Sequence, residues 1–325
     1  MRPSPCCIVT PKIRLASALC AGVLSLCYAQ ERNRGSSGMD DVSGSSVGEA
    51  ALPSNEPRPT LPEYDATRYP WLTGENAEAL WQRIPPLPGL TRVSPEPGSF
   101  GDWLRNLPVK PGRPPVRLFN GRLKVNQDTH HAVVAIDVGH RDLQQCADAI
   151  IRLRAEYLWA AGCANSIAFR FTSGDPATWR AWKAGFRPSV QDSSVMWARA
   201  APADDSYASF RSYLETVFTY AGSASLEREL EPVADSSRPE IGDVFIQGGF
   251  PGHAVIVVDI AEGRRGGRWF LLAQSYMPAQ EIHILENTGD LSSPWYQAQA
   301  SGRLETPEWT FNHQDLRRFP AVACP

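Results

Sequence analysis

Apolar and polar residues fall into short regular blocks only from about Val116 onward, and those blocks predict the elements. Val116–Val125 and Ala132–Val138 read as two strands around the turn-prone Asn126-Gln127-Asp128. The spacing then switches to the helical period from Leu143 to Ala161. Asp142 with Gln145 suits a capping box at its start, and Gly162 a stop at its end. Ser166–Phe171 reads as a strand, and Thr172–Asp175 as a loop. Ala177–Ala184, ended by Gly185, and Ser206–Tyr220 have the helical pattern. Four short apolar runs follow closely: Ile241–Ile246, Ala254–Ile260, Trp269–Ser275 and Glu281–Leu285. Such spacing predicts an antiparallel meander. Thr306–Phe311 adds a strand and Gln314–Phe319 a short terminal helix. The fold class is α+β, with helices packed on a mainly antiparallel sheet.

Upstream the pattern is different. Residues 1–30 carry Arg2, Lys12 and Arg14 ahead of an apolar run, Leu15 to Tyr28, and small residues before a cleavage point after Ala29. This is the layout of a signal peptide and makes 1–29 a leader, so the chain is expected to be exported, periplasmic or secreted. A form anchored in the membrane through the leader is the alternative. Lipid attachment is the weaker version of it, because Leu19 precedes Cys20 and Leu26 precedes Cys27 where a small residue is wanted. Residues 30–60 are Gly-, Ser- and acid-rich and read as a disordered tether. Fourteen of the 28 prolines lie between Pro53 and Pro115, which makes 61–115 an irregular lead-in with one amphipathic helix at Ser99–Leu107. The span 116–325 is then a single domain. With the leader removed, three of the 7 cysteines remain, Cys146, Cys163 and Cys324, and their three pairings are all open.

Composition removes several classes of function. Lys+Arg 32 against Asp+Glu 35 gives a net charge of −3 with no like-charge block, so a nucleic-acid partner is not expected. Beyond the leader no apolar run reaches the ~20 residues of a membrane span, which removes multi-pass insertion. No phosphate loop or nucleophile elbow occurs, and no metal or cofactor is called for. His283 and Glu281 share a strand face, but no further ligand accompanies them.

The chemistry concentrates around His253, which follows the turn Gly248-Gly249-Phe250-Pro251-Gly252 and opens a strand apolar at every position from Ala254 to Val258. A hairpin turn between 263 and 265 sets position 253 opposite 273–277, and side-chain parity makes Gln274 and Tyr276 its neighbours. A histidine oriented by a polar side chain is the base half of a nucleophilic triad. Cys146, at N4 if Asp142 is the cap, is the candidate nucleophile, because a helix N-terminus favours a thiolate. It also shares a face with Leu143, Ile150, Leu153 and Tyr157, which suits a core position equally.

Gln-Cys at a helix start, Gly-Asp-Val, Gly-His-Ala-Val-Ile-Val-Val and Ala-Gln-Ser-Tyr together resemble the papain-like amidases and endopeptidases that cut bacterial cell-wall peptides. The resemblance implies a papain-like arrangement with Cys146 as nucleophile, His253 as base and Gln274 as the orienting residue. That group usually carries Asn, Asp or Glu at the third place. The segments PGHAVIVVD, FLLAQSYMPAQEIHIL, SPWY and TPEWTF are, in addition, similar to an uncharacterised family of exported bacterial proteins, domain of unknown function 4846, which implies no activity. The expectation is an exported cysteine hydrolase or acyl transferase on cell-envelope amide or ester bonds. Gln144, Tyr276 and Trp295 would contact substrate, and Gln144 with nearby backbone N–H groups would hold the oxyanion. The alternative is a non-catalytic envelope protein that binds a cell-wall peptide or glycan in the same cleft.

Overall fold

The structure, a computed structural model, describes residues 68–72, 76–192 and 194–322. The leader and the tether fall outside these residues. A nine-stranded antiparallel sheet organises the fold. Its strands are β1 (Leu90–Arg92), β2 (His130–Val133), β3 (Glu231–Pro232), β4 (Val244–Gln247), β5 (His253–Gly263), β6 (Arg268–Gln274), β7 (His283–Leu285), β8 (Tyr296–Gln297) and β9 (Leu316–Arg318). They run in the order β2-β7-β6-β5-β4-β9-β3, with β8 on β6 and β1 on β5. The predicted meander is therefore β4 to β7. Among the described residues six α-helices accompany it: α1 (Leu80–Arg83), α2 (Phe100–Arg105), α3 (Cys146–Ala160), α4 (Trp179–Lys183), α5 (Tyr207–Tyr220) and α6 (Ser223–Glu229).

The long strand β5 explains why the sheet is buried on both sides. Ala254, Ile256 and Val258 face the helices, in a core with Ile150, Leu153, Trp103 and Phe210. Val255 and Val257 face a second core with Phe245, Phe270 and Phe311. A bulge between Val257 and Asp259 shifts the register against β6, so Ile260 returns to the second core and Ala261 to the first. Asp259 is fully buried on this strand, where an unpaired charge would be costly. Two arginines from the lead-in meet it: Arg92 Nε at 2.7 Å from β1 and Arg105 Nη2 at 2.6 Å from α2. Segment 78–109 is thus packed into the domain rather than leading to it, and β1 pairs directly with β5.

Three expected elements differ. Val116–Val125 forms no strand: the chain folds back at Gly121, in the left-handed region at φ +79, and only single bridges pair Arg117 with Leu123 and Leu118 with Gln280. Instead of a helix, 314–319 gives a short turn and then β9, because the exposed edge of β4 offers its backbone a ladder. The Cys146 helix starts three residues later than Asp142 suggests. Gln145 is the N-cap residue, and Asp148 accepts its N–H at 3.2 Å. Asp142 instead accepts the Ala279 N–H at 2.7 Å and the Gln145 side chain at 3.0 Å. Segments 186–191 and 194–199 form a hairpin, and 223–229 a helix, that the apolar pattern does not announce.

Candidate functional site

Cys146 is the first residue of α3, where backbone N–H groups lack partners within the helix. The backbone peptides at the helix start and, across the fold, that of Ala254 at the start of β5 lie close enough to the sulfur to favour its ionised form. That last contact sets the cysteine beside the residue that follows His253. Cys146 is a free cysteine and retains 9% of its surface. Burial and, after it, the nearby Asp148 push the thiol up to about 11, which overrides the lowering effect of the helix start. Two contacts hold the helix start against the β6–β7 connection: the Asp142–Ala279 bond and Ser275 Oγ, 3.0 Å from the Gln144 carbonyl.

His253 is almost wholly enclosed. Its ring stacks on Phe311 at 5.9 Å, leans on Trp309 at 5.5 Å and meets Tyr276 edge-on at 4.9 Å. Burial brings its pKa down to about 4, so the imidazole is neutral at pH 7. Nε2–H donates to Gln274 Oε1 at 2.8 Å, as the parity argument anticipated. The amide is itself held. Gln274 Nε2 donates to Glu308 Oε2 at 2.7 Å, and Glu308 takes Lys124 Nζ at 2.6 Å. A carboxylate accepts only, so the amide nitrogen must face Glu308 and the amide oxygen His253. On the other side His283 donates Nδ1–H to the Glu281 carbonyl at 2.9 Å, which leaves its Nε2 as an acceptor 3.4 Å from Gln274 Nε2. Every partner therefore selects one tautomer of His253, with the proton on Nε2 and the lone pair on Nδ1.

The structure brings His253, Gln274 and Tyr276 into contact, and the Tyr276 phenol is raised by burial, then by Glu308 and last by Cys146 nearby. No hydrogen bond joins the sulfur to the imidazole among the described residues. Gln144 is buried with its amide engaged elsewhere: Arg152 donates to its oxygen at 3.0 Å, and its nitrogen reaches the Asp137 carbonyl at 3.5 Å. Trp295 is placed apart. Its neighbour Tyr296 pairs with Phe270, four residues before Gln274, or about 13 Å along the strand. Its indole donates to the Pro85 carbonyl within the core.

Glu308 and Lys124 were missed as site residues. The signal was present in TPEWTF, where Glu308 stands between Trp309 and a proline, but only the fold brings residue 308 to residue 274. Cys163 is disulfide-bonded.

The family profile described as a domain of unknown function (4846) matches residues 80–318. The chain belongs to that family. The matched span of the 4846 domain begins within the lead-in and ends at the last residue of β9, so it takes in Arg92, Arg105, Cys146, His253, Gln274 and Glu308 alike. No curated protein and no solved structure matches the chain. Among the described residues no helix is long and apolar enough to cross a membrane.

Proposed function

We propose that the chain is an exported cysteine hydrolase or acyl transferase that acts on amide or ester bonds of the cell envelope, with a papain-like division of labour. The observation that carries this reading is the line Lys124–Glu308–Gln274–His253, which selects an imidazole with a free Nδ1 lone pair on a strand whose next residue, Ala254, lies against the Cys146 thiol. His253 Nδ1 would take the thiol proton as sulfur attacks the carbonyl carbon, then return it to the leaving amine or alcohol. Backbone N–H groups at the start of α3 and at Ala254 would receive the developing oxyanion. Gln274 holds the ring, and Glu308 supplies, one step further out, the carboxylate that papain-like enzymes often place directly on the histidine. Phe250 and Met277 are exposed large apolar side chains close in sequence to His253 and Tyr276, and they suit contact with a peptide. The leader sequence and the disulfide at Cys163 support export.

A second reading, a binding protein without turnover, is favoured by the neutral, nearly enclosed thiol. The test is incubation of the purified protein with peptidoglycan fragments, followed by mass spectrometry of the products. Turnover that C146A abolishes, with fragment binding retained, supports the hydrolase; binding without turnover in either protein supports the second reading. In the enzyme, E308Q lets the Gln274 amide turn over and select the wrong tautomer of His253. It is expected to lower kcat by at least about tenfold with little change in KM and to distort the acid limb of the pH profile. An unchanged profile would remove Glu308 from the mechanism.

A further inference from the structure

A separate cavity of about 500 Å³ lies beside α3, walled by the turn before α2, the loop before β4 and the residues after β9. Arg154 lines it, eight residues beyond Cys146 and so about 12 Å along the helix axis. The other buried arginines and lysine among the described residues are answered: Arg152 by Glu156 at 2.6 Å, Arg105 by Asp259 at 2.6 Å and Lys124 by Glu308 at 2.6 Å. Arg154 is not. It is 8% exposed, yet among the described residues it has neither a hydrogen bond nor an ion pair.

What surrounds it are rings. Its guanidinium lies over Phe100 at 4.9 Å, Phe319 at 5.1 Å and Tyr157 at 5.5 Å. Aromatic faces engage the flat faces of a guanidinium and leave its five N–H groups, which point outward in the plane, unsatisfied. Arg268 lines the same cavity and repeats the situation in part. Its Nη1 donates to the Pro239 carbonyl at 2.8 Å, while Nε is buried without a hydrogen bond, 4.0 Å from Glu262. The acids of the wall do not make up the difference. Asp243 and Glu240 are both taken by Arg318, and Glu96 is exposed. Among the buried groups facing the cavity the unmet charge is positive, with the unpaired Glu96 at the solvent-exposed rim, and Phe100, Ile241 and Phe319 give it an apolar side.

We infer that this cavity is a binding site for a small organic oxyanion, a carboxylate or a phosphate monoester with an apolar body, held by Arg154 with Arg268 in support. Such a ligand would satisfy the outward N–H groups bidentately in a low-dielectric setting, while its apolar part replaces water against the rings. The site is independent of the proposed chemistry at Cys146 and stands whether or not that reading does.

Calorimetric titration with benzoate, phenyl phosphate and the neutral benzamide tests this directly. Binding of either anion without binding of benzamide is expected, and which anion binds distinguishes a carboxylate ligand from a phosphate ligand. R154M should weaken that binding at least tenfold, and R268Q should weaken it less. R154M is expected to stay folded, because it removes an uncompensated buried charge; if it does not fold, R268Q and the comparison with benzamide still decide. The inference is overturned if neither anion binds at roughly 10 mM, above the millimolar range expected of a weak site. It is equally overturned if benzamide binds as well as benzoate, or if folded R154M binds like the wild type.

Discussion

Cys146 can be interrogated through its own reactivity. Its thiol sits at about 11 rather than the ordinary 9.0, a difference of two pH units. At any pH below 9 the folded protein should therefore carry about a hundredfold less Cys146 thiolate than an unhindered cysteine would. Enclosure to 9% exposure slows a reagent further. The assay is alkylation by iodoacetamide, followed as mass gained at the Cys146 peptide across a pH series, in native protein and in protein unfolded by urea. The native rate should lie at least about a hundredfold below the unfolded rate at neutral pH, and rise about tenfold per pH unit up to pH 9. The outcome bears on mechanism. Under the proposed hydrolase, a neutral thiol and a neutral His253 would require the proton to move during attack on the substrate instead of beforehand. A native rate that is fast and flat between about pH 5 and 8 would mean a preformed thiolate–imidazolium pair, and would refute the argument from burial.

Two further outcomes test the surroundings of the site. His253 ionises at about 4 and His283 at about 3 in the folded chain, against 6.5 for an ordinary histidine, in both cases chiefly through burial. Both states are neutral above pH 6.5, where the contribution is complete. As pH falls from 6.5 towards 4, the unfolded chain takes up protons that the folded one refuses, and His253 alone withdraws about 3 kcal/mol. Urea midpoints should fall steeply over that window; a flat profile would contradict the enclosed, neutral rings. Separately, D259N leaves Arg92 and Arg105 facing an uncharged group and should cost about 3–5 kcal/mol in urea unfolding. A loss under about 1 kcal/mol would show that the lead-in is not fastened to β5 by this triad.

How far the sequence speaks for itself depends on distance along the chain. The pairing of His253 with Gln274 was legible because a hairpin links them and side-chain parity propagates through it: Ile256 stands opposite Ala273, which carries 253 to 276. The bulge at Asp259 lies between the turn and that pairing and shifts it by one residue, from 277 to 276, which stays within the expected 273–277. The helix start was misjudged for a local reason. Asp142 with Gln145 and Gln145 with Asp148 both offer a three-residue capping pattern, and the choice fell to a tertiary contact, the claim of the Ala279 N–H on Asp142. Cys146 thereby moves to the first helical position, which strengthens its geometry even as burial weakens its acidity. Val116–Val125 shows the opposite failure, a strand-like pattern with almost no ladder to join. Glu308, Lys124 and the arginine partners of Asp259 lie 34 to 184 residues from what they touch, and no local pattern encodes such meetings.

The placing of β9 sets an order of assembly. Synthesis runs from the N-terminus, so β4, β5, β6 and β7 are all made before the strand that pairs with β4 on its other side. The same late stretch brings Glu308 to Gln274 and lays Trp309 and Phe311 against the imidazole of His253. Until it arrives, β4 has a bare edge, the amide of Gln274 is free to turn, and the histidine is open to water and ordinarily basic. A chain halted before residue 308 would carry Cys146, His253 and Gln274 in full and still lack the environment that tunes them. The segment that completes the sheet is thus also the one that encloses the histidine and fixes the amide beside it.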